Sequence, residues 1–404
     1  MGRVGWPLKP LAEVCQIKPP KAEARNRVSD DELVSFVPME DLGIDQKYLV
    51  PAQTRTLSEV SGSYTYFAEG DVLLAKITPC FENGKLGIAE NLTNGIGFGS
   101  SEYIVFRPSP AIDKEWLYYF LSQESFRDEG AERMTGAVGH KRVAKEFIES
   151  YPIPAPPLPE QHRIVAILDE AFDGIATAKA NAEQNLQNAR ALFESHLQRV
   201  FTEAWTTGEL VTLADLATDI TDGDHMPPPK AANGVPFITI GNVAKDSHTI
   251  DFTDTFKVPR EYFDSLKPNK KPKLGDVLYT VTGSFGIPVL VKEQQDFCFQ
   301  RHIGLVRPKS DFCSEWLYYL LMSPQIVQQA NEGATGTAQK TVSLKVLRGF
   351  KVPRIPLADQ AAAIAKLNSL ATETQRLESL YRQKLAALEE LKRSLLHRAF
   401  SGQL

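Results

Sequence analysis

Two long stretches of the chain carry apolar residues at steps that are mostly three and four. The first stripe comprises Ile164, Leu168, Phe172, Ile175, Ala182, Leu186, Ala189, Phe193, Leu197 and Val200, and the second comprises Ile364, Leu367, Leu370, Thr374, Leu377, Tyr381, Leu388, Leu391 and Leu395. Each stripe predicts an amphipathic helix of about 45 residues, which would be about 65 Å long. A small module cannot cover so long a stripe, so we expect the two helices to pair antiparallel as a coiled coil.

The residues that flank these stripes predict where the helices begin and end. Gly208 and Gly402 follow them, where a glycine commonly terminates a helix. Residues 151–159 (YPIPAPPLP) precede the first stripe. Because proline fixes φ and lacks an N–H, this segment predicts a stiff connector rather than a helix or a central strand.

Outside these stretches the pattern predicts mixed α/β modules. Runs of β-branched and aromatic residues predict strands at 71–77, 103–107, 237–240, 276–282 and 303–307. Short helices are predicted at 116–123 and 316–322. Their Trp-Leu-Tyr-Tyr face is interpreted as a packing face rather than as a platform for stacked bases.

The chain repeats one unit. Residues 115–119 (EWLYY) reappear 200 residues later at 315–319, although the chain has only four tryptophans. Gln161 pairs with Gln360 and Leu8 with Leu210 at similar offsets. We therefore predict an α+β chain in which two modules are joined by the two helices, with a pseudo-two-fold internal repeat. Since the segment after Gly402 matches the segment after Gly208, residues near Leu8 and Leu404 are expected to lie close together.

Composition narrows the class of protein. A chain of 404 residues exceeds one ordinary core, and 43% hydrophobic with 24% charged residues is typical of globular proteins. No apolar run reaches the roughly 18 residues that a bilayer requires, and the N-terminus lacks a signal segment. Four scattered cysteines exclude a disulfide scaffold and predict a cytoplasmic location. A net charge of −5 means that any nucleic-acid contact must come from local basic patches.

Motifs for catalysis are missing from the sequence. Residues 95–99 (GIGFG) lack the flanking strand and helix of a dinucleotide loop and are interpreted as a turn. Asp71 and Lys76 resemble part of a nuclease strand, but no acidic residue stands two positions before Lys76. No Gly-x-Ser-x-Gly motif, Walker A loop or amino-methylase motif occurs, and no metal or cofactor site is predicted. The function indicated is binding.

Two glycine-flanked basic loops occupy equivalent places in the repeat. Their residues are His140, Lys141 and Arg142 in the first copy and Gln339 and Lys340 in the second. Flanking glycines let the backbone approach a phosphate while side chains reach base edges. We predict DNA contact through Lys141 and Lys340; the alternative is that these side chains are solvated and inert.

Further candidates for base or phosphate contact are Lys76, His225, Asn242, Arg301 and His302, of which Arg301 and His302 begin a predicted strand. Lysines 267, 270, 271 and 273 form another patch, for which DNA contact and simple solvation stay equally open.

Three motifs combine into a recognisable pattern. The helices are entered through IPAPPLPEQ at 153–161 and PRIPLADQ at 353–360, and the second module opens with GVPFITIGN at 234–242. With two divergent modules alternating with two similar helices, the whole chain resembles the specificity subunit of Type I restriction–modification enzymes. It departs from strict symmetry at Asp359, where the first copy has glutamate, and at residues 361–363 (AAA), where the first copy has HRI.

The resemblance implies target-recognition domains at residues 1–150 and 209–350, and connectors with spacer helices at 151–208 and 351–404. It implies a non-catalytic subunit that reads an asymmetric bipartite site in double-stranded DNA, one half with each domain. Two methyltransferase subunits binding S-adenosylmethionine and restriction–translocase subunits using ATP and Mg²⁺ would carry out the reactions, so no cofactor is expected on this chain. Apolar residues left on the helices are expected to dock the methyltransferase; the candidates are Leu168, Phe172, Ile175, Leu377, Tyr381 and Leu388.

Two other functions stay open at this point. An autonomous DNA-binding regulator would not co-purify with a methyltransferase. A coiled-coil adaptor that binds only protein would give no gel shift in the presence of its partner.

Overall fold

The computed structural model describes residues 5–225, 228–337 and 339–404. The chain forms two compact units. The first contains the described residues up to Glu183 together with Arg382–Leu404, and the second contains Gln184–Tyr381. Each unit thus comprises one module with the beginning of one long helix and the end of the other.

The first module consists of short strands and short helices. Its strands are β1 (Leu8–Pro10), β2 (Cys15–Ile17), β3 (Leu33–Val37), β4 (Gln53–Thr56), β5 (Thr65–Ala68), β6 (Val72–Ala75), β7 (Leu86–Ile88), β8 (Ile96–Gly99), β9 (Tyr103–Pro108) and β10 (Pro152–Pro154). Its helices are α1 (Leu11–Val14), α2 (Ala22–Arg25), α3 (Leu57–Val60), α4 (Lys114–Leu121), α5 (Glu124–Glu132) and α6 (Lys145–Ser150). The long helix α7 (Leu158–Thr207) follows.

The second module repeats much of this order. Its strands are β11 (Glu209–Thr212), β12 (Ala217–Asp222), β13 (Val235–Ile238), β14 (Val243–Ala244), β15 (Thr249–Ile250), β16 (Lys257–Val258), β17 (Val277–Thr280), β18 (Pro288–Leu290), β19 (Cys298–Phe299), β20 (Ile303–Pro308) and β21 (Lys351–Arg354). Its helices are α8 (Leu213–Leu216), α9 (Arg260–Ser265), α10 (Ser314–Met322), α11 (Pro324–Gly333) and α12 (Leu344–Gly349), and the long helix α13 (Leu357–Phe400) follows.

The first sheet has the same topology in both modules, and the second sheet has four strands in one module and three in the other. An antiparallel sheet of order β2-β9-β6-β7 in the first module corresponds to β12-β20-β17-β18 in the second. A further sheet, β4-β3-β8-β5, corresponds to β16-β13-β19, and each contains one parallel pair, β3 with β8 and β13 with β19. The predicted α+β class and internal repeat are confirmed.

The repeat extends to individual ion pairs. Arg107 on β9 forms a two-pronged salt bridge with Asp71, with both N–O distances 2.8 Å. Arg307 on β20 binds Asp276 in the same way, with the same two distances. Both carboxylates are buried. The first pair joins β9 to the residue before β6, and the second joins β20 to the residue before β17. The two sheets are therefore stabilised by the same contact.

The long helices pack antiparallel within each unit. In the first unit, Lys179 Nζ lies 2.6 Å from Glu389 Oε1, and Arg163 donates to the Leu404 carbonyl at 2.7 Å. In the second unit, Arg190 Nε lies 3.2 Å from Glu378 Oε2. The small residues Ala182, Ala189 and Thr374 are buried on the helices, which lets helix backbones approach closely. The predicted antiparallel pairing is confirmed.

Each module uses a buried tryptophan to pack against the end of a long helix. Trp116 on α4 contacts Phe400, the last residue of α13, with ring centroids 4.4 Å apart. Trp316 on α10 contacts Phe201 near the end of α7 at 4.6 Å. Both tryptophans are fully buried, which confirms the interpretation of this face as a packing surface. Burying one such aromatic ring contributes about 2–3 kcal/mol.

The proline-rich segment is more structured than the sequence predicts. Pro152–Pro154 forms β10, which pairs with β1 in a two-stranded ribbon, and α7 already begins at Leu158. Proline is tolerated at both places, because a two-stranded ribbon leaves one edge of each strand unpaired and the first helical turn needs no N–H donors. The exclusion of helix is therefore wrong for Leu158 and Pro159, whereas Pro152–Pro154 is not the central strand that the prediction excluded.

Residues 95–99 are also different from the predicted turn. The turn is confined to Thr93–Gly95, and Ile96–Gly99 is the strand β8. A Cβ on Gly97 would lie 2.1 Å from the Phe67 ring. Glycine is needed here because the aromatic ring lies directly on the strand backbone, not because a cofactor approaches it.

The helix termini use their glycines differently. Gly402 has a φ of 71°, the left-handed conformation expected after a helix, and Gln403 N donates to Arg398 O at 2.9 Å. A Cβ on Gly208 would instead lie 2.8 Å from the Ala204 carbonyl oxygen. Gly208 therefore follows α7 because the chain lies close to the Ala204 carbonyl. Its backbone is not left-handed, unlike that of Gly402.

The first described residues and the last residues of the chain share one core. Trp6 contacts the Trp116 ring at 5.8 Å, and Phe400 packs on the same ring. Leu404 packs against the same cluster of buried residues. The expected closeness of the segment near Leu8 to Leu404 is confirmed. Across the described residues, no helix has an apolar stretch of the length that a membrane crossing requires.

Two fully buried glutamines link the modules to the starts of the long helices. Gln161 Oε1 accepts from Asp113 N at 2.9 Å, and its Nε2 donates to the carbonyls of Pro156 and Ala111. Gln360 repeats the arrangement with Cys313 N at 2.8 Å and Ile355 O at 3.0 Å. Their side chains satisfy backbone groups at the N-termini of α4 and α10.

We expect Gln161→Ala and Gln360→Ala each to lower the free energy of unfolding by about 1–3 kcal/mol, because backbone groups lose their partners in a buried site. Urea denaturation of the full chain would show a lower midpoint for both variants. Gln184→Ala, at an exposed position on α7, is the control and should leave the midpoint unchanged. Equal midpoints for all three variants would contradict this role.

Candidate nucleic-acid interface

The first basic loop, residues 135–142, is closed by backbone hydrogen bonds. Thr135 N donates to Arg142 O at 3.0 Å, and Arg142 N donates to Thr135 O at 2.8 Å. Gly136 has a φ of 124°, and a Cβ there would lie 2.9 Å from His140 O. Only glycine fits this bend, so the loop presents His140 and Lys141 to solvent from a fixed backbone.

This loop is bonded to the end of strand β6. Thr78 N donates to Lys141 O, and Val143 N donates to Lys76 O, both at 3.0 Å. Lys76 directly follows β6, and its N–H donates to Glu102 O at 2.9 Å. The structure therefore brings together all four basic candidates of the first module at one end of the β2-β9-β6-β7 sheet.

Glu102 is the acidic residue of this group. It accepts two hydrogen bonds from Arg142, Nε at 2.9 Å and Nη2 at 2.7 Å, and these lower the pKa of the Glu102 carboxyl. Lys76 Nζ donates to Ser101 O at 2.9 Å. Burial lowers the pKa of Lys76, and repulsion by Arg142 and Lys18 acts in the same direction against the attraction of Glu102.

The second basic loop, residues 335–341, has the same construction. Thr335 N donates to Thr341 O at 3.0 Å, and Thr341 N donates to Thr335 O at 2.8 Å. Gly336 has a φ of 111°, and a Cβ there would lie 2.4 Å from Gln339 O. Gln339 and Lys340 are exposed; Ala338 lies outside the described residues.

Arg301 and His302 lie at the end of the sheet to which the second loop is bonded. Gly283 N donates to Lys340 O at 3.0 Å, and Val281 N donates to His302 O at 2.9 Å. Burial, with a smaller contribution from Arg301, lowers the pKa of His302. The sheet end of the second module thus presents Arg301, Gln339 and Lys340 to solvent.

His225 joins this group through the segment that follows β12. Arg301 N donates to Asp224 O at 3.2 Å, and the His225 ring lies 2.7 Å from Asp222 Oδ2 through its Nε2. The Tyr262 hydroxyl donates to the Asp224 carboxylate. His225 is exposed beside Arg301 and carries its own acidic partner.

Asn242 has a structural role that the sequence did not predict. Its Oδ1 accepts from Thr239 N at 2.9 Å and from Thr239 Oγ1 at 2.8 Å, while Nδ2 donates to Asp254 O at 2.9 Å. The amide completes the capping box of a short 3₁₀ helix, which engages its oxygen and one of its two N–H bonds within the chain. Lys270 and Lys271 likewise donate to backbone carbonyls, of Gly223 and Asp264.

Sequence reasoning missed Glu102 and Lys18. Glu102 carries no motif, but the offset of 200 that relates the two copies aligns it with the candidate His302 and aligns Ser101 with Arg301. That alignment was the available signal. Lys18 is brought to the site by its N–H, which donates to Val105 O at 2.8 Å on β9.

The predicted partner-binding residues differ in accessibility. Leu168 is fully buried in the core of the first unit, where it packs beneath the module and cannot meet a partner in this structure. Phe172 is half-buried between Tyr119 and Lys392. Ile175, Leu377, Tyr381 and Leu388 are half-buried. Other apolar side chains on the helices are more exposed; they include Leu192 (55%), Leu380 (53%) and Leu391 (47%).

Comparison with known proteins explains the duplication. A family model described as the Type I restriction modification DNA specificity domain matches residues 3–188 and again residues 204–389. The chain belongs to this family.

The chain is also similar to individual specificity subunits. It is 35% identical over 215 residues to the EcoAI specificity subunit of Escherichia coli, covering 53% of this chain and 34% of that protein. It is 40% identical over 163 residues to the EcoEI specificity subunit, covering 40% of this chain and 27% of that protein. The alignments thus span about a third of these two relatives. The MjaVIII specificity subunit of Methanocaldococcus jannaschii is 24% identical over 405 residues, covering 93% of this chain and 88% of that protein.

Solved structures share the fold of this specificity-domain protein. A chain from a study of complex assembly and conformational transition of the type I R-M system aligns with a TM-score of 0.80 at 20% identity, covering 99% of both chains. The HsdS subunit from Thermoanaerobacter tengcongensis aligns with a TM-score of 0.64 at 19% identity, covering 99% of this chain and 98% of that one.

The two specificity domains can be tested independently. We expect Lys141→Ala to weaken binding to one half of a DNA site and Lys340→Ala to weaken binding to the other. If each lysine contacts a phosphate, the slope of log affinity against log salt should fall by about 1 per variant without a change in sequence choice. Fluorescence anisotropy with this chain and the methyltransferase that the resemblance implies would measure both quantities.

Lys384→Ala, an exposed substitution on α13, is the matched control. Affinities and salt slopes of both loop variants equal to those of the control would refute the assignment of the loops to DNA.

Proposed function

We propose that this protein is the DNA-specificity subunit of a Type I restriction–modification complex. The observation that carries the proposal is the duplicated basic loop: each domain holds one closed loop, with Lys141 or Lys340 at the same position, against the same end of an equivalent sheet. A pair of exposed basic loops on a chain with a net charge of −5 is suited to local contact with DNA phosphates and base edges.

The domains would read different sequences. Lys76, Glu102 and Arg142 of the first domain align with Val281, His302 and Thr341 of the second. Since base recognition depends on the donors and acceptors that side chains present, unlike loops should select unlike half-sites. Residues 1–150 and 209–350 would be the two recognition domains, reading an asymmetric bipartite site in double-stranded DNA. Two-fold related readers favour half-sites about one helical turn apart.

The chemistry would reside on partner subunits. We propose that two methyltransferase subunits, which bind S-adenosylmethionine, and restriction–translocase subunits, which use ATP and Mg²⁺, assemble with this non-catalytic chain in the cytoplasm. Support comes from the relatives named as specificity subunits and from the structural neighbour studied as part of a type I R-M assembly.

The methyltransferase would dock along the segments 151–208 and 351–404. Half-buried Phe172, Ile175, Leu377, Tyr381 and Leu388 retain part of their apolar surface. Leu192, Leu380 and Leu391 are more exposed and offer further apolar side chains on the same helices.

Co-expression with the methyltransferase subunit of the same system tests the proposal. We expect the two proteins to co-purify, the complex to shift a DNA fragment carrying a bipartite site, and single-molecule sequencing to show methylation at that site only when this chain is present. A DNA-binding regulator would act without the partner, and a protein-only adaptor would give no shift. Methyl transfer or DNA cleavage by this chain alone would contradict the proposal.

A change in helix length would test the proposed spacer role. Deleting residues 177–183 from α7 and 385–391 from α13 shortens each helix by about 10 Å and preserves its heptad phase. The second deletion also removes Leu388 and Leu391, so co-purification with the methyltransferase first shows that the variant assembles. We expect the methylated site to have a shorter spacer and unchanged half-sites. Equal shortening of only one helix should disrupt the pairing and serves as the control. An unchanged spacer in the double deletion would refute the spacer role.

A further inference from the structure

The guanidinium group of Arg142 is held in place from several directions. Its backbone is bridged on one side to Thr135 and on the other to Ile77. Its Nε and Nη2 donate to the two oxygens of Glu102 at 2.9 and 2.7 Å. Nη1 donates to the His140 carbonyl at 3.3 Å. An arginine side chain ordinarily loses considerable rotamer freedom on binding, and here much of that freedom is already lost in the free protein.

These contacts leave one defined edge of the group available. A guanidinium has five N–H bonds; Glu102 takes the Nε edge, and His140 takes one N–H of Nη1. One N–H of Nη1 and one N–H of Nη2 remain, and neither has a partner among the residues that the structure describes. The Arg142 side chain is 47% exposed and Glu102 is 21% exposed, so this edge can be reached from solvent.

Two terminal nitrogens that each keep an N–H bond are suited to guanine recognition. In the major groove only guanine presents two acceptors, O6 and N7, on one base, and a bidentate arginine pairs with both. Neighbouring Lys141 can bind a phosphate, which fixes register without reading sequence. Lys76 and Lys18 add positive charge, so the site as a whole still attracts DNA although Glu102 is present.

We propose that Arg142 reads one guanine in the half-site of the first specificity domain, and that Glu102 is the residue that positions it. The inference rests on the proposed function, because it presupposes that this domain binds DNA. It is confined to the first domain: Thr341 and His302 stand at the equivalent positions of the second and cannot form such a pair.

The test uses the complete complex with its methyltransferase and a plasmid library in which the half-sites are randomised. In Arg142→Lys, the positive charge is kept but the two-pronged donor is lost. We expect preference for guanine at one position of one half-site to fall by on the order of tenfold to a hundredfold, with the other half-site and the spacer unchanged. Glu102→Gln should relax the same position to a smaller extent, because the guanidinium is then less firmly oriented.

Arg163→Lys is the matched control. Arg163 forms a similar two-pronged pair with Glu160, both distances 2.8 Å, and is 46% exposed, but it lies in the first turns of α7 away from the loop. The methylated motif should not change in this variant. If the Arg142→Lys complex fails to assemble, Glu102→Gln tests the guanine assignment instead. This substitution leaves Arg142 in place and keeps the shape of the side chain at position 102.

The outcomes separate this inference from the proposed function. A bipartite motif that is identical in wild type, Arg142→Lys and Glu102→Gln would overturn the inference, reduce the pair to a stabilising salt bridge, and leave the specificity role intact. Sequence-independent methylation by the wild-type complex would overturn the proposed function itself. Relaxation at an A·T base pair would also refute the guanine assignment, whereas a G·C pair supports it with guanine on either strand.

Discussion

The packing of Phe400 on Trp116, and of Phe201 on Trp316, is the contact on which the rest of the structure depends. Without these contacts, α4 and α10 would each expose a large aromatic face. The face on α4 is covered by the last turns of α13, and the face on α10 is covered by the last turns of α7. The core of one unit is therefore completed by residues from distant parts of the chain. Because the end of one long helix must lie in the core beside the start of the other, core formation brings the two helices together antiparallel.

Ion pairs within the sheets and hydrogen bonds to the strand ends hold the basic loops in place. The β2-β9-β6-β7 and β12-β20-β17-β18 sheets are held by the Arg107–Asp71 and Arg307–Asp276 pairs, and the basic loops bond to the ends of β6 and β17. Because the loop backbones are closed by their own hydrogen bonds, few residues have to be ordered on binding. Preorganisation of this kind reduces the entropic cost of recognition.

The two copies share their buried contacts and differ in the side chains at the sheet ends. Buried tryptophans, glutamines and Arg–Asp pairs recur at equivalent places, whereas Glu102, Arg142 and Lys76 are replaced by His302, Thr341 and Val281. Packing tolerates little variation in a dense core, while exposed side chains at a sheet end are free to differ. A duplicated protein can thus acquire two different binding surfaces without a new fold.

The sequence by itself determined the two long helices, the repeat, the principal strands and the position of both basic loops, because helical periodicity, self-comparison and glycine spacing are local properties of the chain. Only the tertiary structure decided that Glu102 holds Arg142, that Asn242 caps a 3₁₀ helix, that Leu168 is buried and that residues 96–99 form a strand. Each of these depends on a partner distant in sequence, such as the Phe67 ring that lies on Gly97. Such partners are selected by the packing of whole sheets, which no local pattern specifies.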